Sequence, residues 1–158
     1  MSAELLITTI EKLYKLHRSL YEMAVKKTEI IKVGDIESLQ NMVKEENAHI
    51  SAIRKLEDVR QKSTIAICQD RENPTISDCI EKFNGPEKDT LIKISEQLTE
   101  TILDLKEQNY LNQQLIHQSL QFVNMSLNLL RPQPNSINYG PPTQKKTNST
   151  SGFYNSQA

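Results

Sequence analysis

Tryptophan is missing from this 158-residue chain, and there are only four glycines, two cysteines, three histidines and eight aromatic residues in all. Each scarcity excludes something. Few glycines and aromatics argue against the turn-rich, aromatic-rich pattern of a β protein, and the abundance of Gln, Glu, Lys, Leu, Ile and Asn is helix-forming composition. Cys68 and Cys79 form no CxxC pair and have no histidine pair near them, as expected of reduced thiols in a cytosolic protein. No apolar run approaches the ~20 residues of a membrane-spanning helix, and Glu4 and Glu11 interrupt the N-terminal apolar pattern where a leader would be uninterrupted. The chain is therefore expected to be soluble and cytoplasmic, without membrane insertion.

Charge is unevenly placed. All 20 acidic residues and 17 of the 19 basic ones precede Pro132, so the body carries −3 and the remainder +2. Neither value is a nucleic-acid footprint. Chemistry is equally hard to find. There is no glycine-rich phosphate loop, and three scattered histidines support no catalytic triad. Glu46-x-x-His49 has half the spacing of a di-iron bundle site, but Tyr14 precedes His17 and Gln114 precedes His117 where a second acid would be needed. The pair reads as a surface coincidence. We expect no catalytic residue, no metal, no cofactor and no enzyme.

What is present is helical periodicity. Leu6, Ile10, Leu13, Leu20, Ala24 and Ile31 recur at steps of three and four and predict a first long helix from Ser2 to Val33. Gly34 is its stop and Asp35 the N-cap of the next helix, whose stripe is Leu39, Val43, Ile50, Ile53 and Leu56, continuing to about Cys68. So short a connection makes the two antiparallel. Asn73-Pro74 breaks the pattern. Thr75-x-x-Asp78 resembles a capping box for a helix of about two turns, and Pro86 then opens a helix without a breaker until Pro132, ~65 Å long. The fold class is all-α: an elongated antiparallel bundle of two long helices, one short helix and one very long C-terminal helix over residues 1–131. A disordered polar tail is expected over 132–158.

The last helix carries two unusual features. Its seam, read as Leu98, Ile102, Leu105, Asn109, Asn112, Ile116, Ser119, Val123, Ser126 and Leu130, includes two asparagines, which either fix register or mark a wet stretch. Further on, Leu115, Ile116, Leu120, Phe122, Val123, Met125, Leu127, Leu129 and Leu130 lie nearly all round the cylinder. Two amphipathic helices cover only one side of it, so apolar surface should remain for a partner protein. The competing expectation is a coiled-coil adaptor or homo-oligomer whose permanent self-association seam is this same face.

At these residues the chain resembles the FlgN family of bacterial flagellar type III export chaperones. Gly34-Asp35 followed by Leu39, Glu46, Ile53 and Arg60 is similar to that family's helix hairpin. Asn109-x-x-Asn112-x-x-Leu115-Ile116, Ser119-Leu120-x-Phe122-Val123 and Leu127-x-x-Leu130 are similar to its C-terminal signature. The resemblance covers about residues 1 to 131. It implies a cytosolic chaperone that binds hook-associated (hook-filament junction) proteins, prevents their premature assembly and delivers them to the type III export apparatus, whose components would be further partners. It also implies that substrate binds toward the C-terminal end, on the nine apolar residues from Leu115 to Leu130.

Overall fold

A computed structural model describes residues 3–131. The tail expected over 132–158 lies outside the described residues. Four helices follow in order, α1 (Ala3–Val33), α2 (Ile36–Ile67), α3 (Ile76–Lys82) and α4 (Gly85–Leu130), and the described residues contain no strand.

The turns form for local chemical reasons. Gly34 has φ +77°, a conformation costly for any residue with a Cβ, and it closes α1. Its N–H bonds the Ile31 carbonyl at 3.1 Å and the Asp35 N–H bonds the Ile30 carbonyl at 3.2 Å, the Schellman pattern. Asp35 then caps α2 by accepting the Ser38 N–H at 3.1 Å. The Ser38 hydroxyl and this N–H hold the Asp35 carboxyl below its usual range. At α3 the expected capping box is complete, with Thr75 and Asp78 each accepting the other's backbone N–H. Gly85, at φ +67°, is the first residue of α4, so Pro86 stands second rather than first.

The long helices run up, down and up, which places α4 parallel to α1. Both α2 and α4 pack on α1, whereas no α2 residue comes within 8 Å of an α4 residue between Cα atoms. The short α3 touches α2 and α4 and closes the remaining side at the base of the bundle. The core sits there: Leu6, Ile10 and Leu13 of α1, Cys68, Cys79 of α3, and Leu91, Ile94 and Leu98 of α4. All six residues expected along the α1 stripe are buried.

Higher up, polar bonds take over. The Gln108 amide donates to the Thr28 hydroxyl (2.6 Å), which donates to Asn112 Oδ1 (2.6 Å), and the Asn112 amide donates to the Ala24 carbonyl (2.8 Å). Asn112 is only 3% exposed, and its hydrogen-bonding groups are engaged in this chain, which offsets the cost of burying them. Of the two readings of the asparagines, register applies to Asn112, while Asn109 is exposed.

Three expectations need correction. The inward stripe of α4 is Leu91, Ile94, Leu98, Thr101 and Asn112, all buried, with Leu105 and Gln108 half-buried between them, so the expected seam is right at Leu98, Leu105 and Asn112 but slipped at Ile102 and Asn109, which are exposed. Polar Thr101 and Gln108 sit where a search for apolar residues passes over them. On α2, Val43 and Ile50 are exposed because that helix meets only α1 at this height. Glu46 and His49 are no surface coincidence: Glu46 pairs with Lys27, both side chains about 85% covered. The His49 Nδ1–H donates to the Glu45 carbonyl, leaving Nε2 to accept from the Ser19 hydroxyl at 2.9 Å. These bonds join α1 to α2 and form no metal site; the described residues contain no cluster of His, Cys, Asp and Glu that could hold one.

Cys68 and Cys79 are free thiols, fully buried, with sulfurs 3.5 Å apart. Burial, then the hydrogen bond with Cys68, pushes the Cys79 thiol from its ordinary 9.0 up to about 12. The folded chain therefore keeps a proton that the unfolded chain releases above pH 9. This contribution to stability is complete below pH 9 and is lost as pH rises toward 12. Both thiols should be silent toward Ellman's reagent at pH 8 until denaturant is added. Melts titrated upward from pH 9 should fall more steeply for the wild type than for Cys79→Ala; equal slopes would contradict this account.

Candidate functional site

The distal half of α4 differs chemically from every other helical stretch of the chain. Between Gln108 and Leu130 there is no Asp, Glu, Lys or Arg. A helix exposed to water ordinarily carries charge opposite its apolar stripe. Here the positions that face solvent include leucine, phenylalanine, methionine, asparagine and glutamine.

The nine expected residues divide into three groups. Leu115 is half-buried and continues the stripe that faces α1. Ile116, Leu120 and Val123 look toward the α1–α2 turn and line a cavity of about 350 Å³ shared with Ile30, Ile36 and Leu39. Phe122, Met125, Leu127, Leu129 and Leu130 face solvent, Phe122 at 68%, Leu127 at 55% and Leu129 at 81% exposure. Val123 is the last α4 residue lining that cavity, so residues 124–130 run past the hairpin by ~10 Å at the helical rise.

The other side of the cavity was not singled out from sequence. Ile36 lies outside the α2 stripe, and Leu39, on that stripe, is only half-buried. The signal was available in two places: apolar Ile30, Ile31, Val33 and Ile36 crowd a turn that needs only Gly34 and Asp35, and charge is absent from the facing stretch of α4. Below it, a second cleft of about 240 Å³ lies between α2 and α4 and also includes Ile116. The crossed pair Lys27 and Glu46 lies at its edge, each neutralising the other. Such a surface has no nucleophile, activated acid or ligand set. It can bury apolar side chains, and its asparagines and glutamines can donate or accept hydrogen bonds at the margin.

Comparison with known proteins agrees in scale with this single helical unit. A family model described as FlgN protein matches residues 1–147. The chain is 39% identical over 139 residues to the uncharacterized protein YvyG of Bacillus subtilis (strain 168), a match covering 88% of this chain and 87% of that one. No solved structure matches.

Exposed apolar residues contribute little to folding, because their area is not withdrawn from water. Phe122→Ala together with Leu127→Ala should therefore leave thermal unfolding close to wild type, within ~0.5 kcal/mol per site. Leu13→Ala, which empties a fully buried position, should cost ~2 to 5 kcal/mol. Unfolding of the three chains followed by circular dichroism checks the contrast, and a double variant as unstable as Leu13→Ala would place those residues in the core.

Proposed function

The chain belongs to the FlgN family of flagellar chaperones, and from that premise we propose that it binds hook-filament junction proteins through the distal surface of α4. The observation that carries this reading is the exposed apolar set on a helix stretch without charge. Leu115, Ile116, Leu120, Phe122, Val123, Met125, Leu127, Leu129 and Leu130 are the proposed substrate-binding residues. Proteins that polymerise must carry surfaces able to self-associate. Covering such a surface with a complementary apolar face removes it from water and from other copies, and the cover is reversible because it is not covalent. The chaperone thus works by masking. It needs neither nucleotide nor metal for that, and delivery to the type III export apparatus follows from release of the covered segment.

Cytoplasmic residence is part of the same proposal. What supports it is membership of the FlgN family of flagellar chaperones.

Anchoring side chains at a protein interface each lose ~1 to 2 kcal/mol or more when truncated. Phe122→Ala together with Leu127→Ala should then weaken binding of a purified hook-filament junction protein by about 3 kcal/mol, roughly a hundredfold in Kd. Calorimetric titration measures it. Wild-type affinity in the folded double variant would contradict the assignment. A stable homodimer that ignores added junction protein would favour the self-associating adaptor instead.

A further inference from the structure

We propose that the open side of the bundle between α2 and α4, beyond α3, is a slot for one amphipathic helix of about four turns supplied by the exported substrate; this rests on the substrate-binding reading above. The fold itself supplies the precedent for a helix on this side. At the base, α3 lies between α2 and α4, touching both, and completes a ring of four helices with α1 opposite. Because α3 ends after seven residues, the same side continues upward with no further helix among the described residues on it. Its walls do not close on each other: α2 and α4 stay more than 8 Å apart between Cα atoms along their whole length.

The walls are prepared for such an occupant. Ile36, Leu39 and Ile50 of α2 face Leu105, Ile116 and Leu120 of α4 across two clefts that share Ile116, and we take the pair as one groove. From Ile36 to Ile50 the α2 wall is ~21 Å long, which matches ~14 helical residues. Charge decides what that helix presents. The α4 wall has no charged residue after Glu107, Lys27 and Glu46 are paired with each other, and the Asp35 carboxylate at the upper end already accepts the Ser38 N–H and hydroxyl. A charged side chain entering the groove would lose hydration without gaining a partner, so the inserted stripe is apolar with uncharged polar flanks. The exposed Ile36 and Ile50 then become interior residues of a four-helix bundle.

The test uses the full chain carrying Ile36→Asn and Ile50→Asn, titrated with a hook-filament junction protein. Val25→Asn on α1, also exposed but outside the groove, is the control. Ile36 is 68% exposed, so if the double variant loses its melting transition, the single Ile36→Asn change carries the test. The expected result is at least a tenfold weaker Kd for the groove variant and wild-type affinity for the control. Unchanged affinity of the groove variant, alongside a loss for Phe122→Ala plus Leu127→Ala, overturns the slot and leaves the α4 surface standing. If neither variant weakens binding, both readings fail. Sedimentation of the wild type as a dimer that the groove variant abolishes, with substrate binding intact, would make a second copy the occupant and likewise overturn the proposal.

Discussion

Asn112 is bonded to α1 by two groups at once, receiving the Thr28 hydroxyl and donating to the Ala24 carbonyl. This pins α4 lengthwise, because a shift by one helical turn, ~5.4 Å, would strand buried polar atoms from both helices without partners. The rest of the distal structure depends on that register. With Asn112 opposite Ala24 and Thr28, Ile116, Leu120 and Val123 arrive beside the α1–α2 turn, and the last residues of α4 extend beyond it. Apolar packing alone would hold these helices together without choosing among neighbouring registers. A buried asparagine bonded through both its amide oxygen and its amide nitrogen does choose, at some expense in stability.

The molecule is therefore graded along its length. At the base, four helices enclose Leu6, Ile10, Leu13, Leu91 and the two buried thiols, and apolar burial supplies the stability. In the middle, Lys27 with Glu46 and Ser19 with His49 join α1 to α2 by polar bonds. At the far end, leucines and a phenylalanine stand in solvent on a helix without charge. An exposed apolar set of this extent is unfavourable for a chain with no partner, since it invites aggregation. Placing it far from the core means that this surface can change without disturbing the packing at the base.

How much of this was legible in the residues depended on whether apolar periodicity carried the information. The α1 stripe, the Gly34-Asp35 reversal and the Thr75–Asp78 capping box were read correctly because each is a local rule. The α4 stripe was misplaced at Thr101 and Gln108, polar residues turned inward, Gln108 through a bond to Thr28 eighty positions away in sequence. Glu46 and His49 were dismissed for the same reason, since their partners Lys27 and Ser19 become visible only once α2 folds back on α1. The apolar excess after Leu115 was evident from the sequence. That it faces Ile36 and Leu39 across a groove was not, because the groove exists only through the failure of α2 and α4 to meet.

The central claim is that folding is secured at the base and that the distal α4 surface is left free for a partner. Hydrogen exchange at single-residue resolution, with and without a purified hook-filament junction protein, tests both halves at once. In the free chain, amides near Leu91–Leu98 should exchange slowest and those of residues 115–130 fastest within α4; adding the partner should slow 115–130 and leave 91–98 unchanged. Distal amides already as protected as the basal ones in the free monomer, or unaltered by a bound partner, would contradict the account.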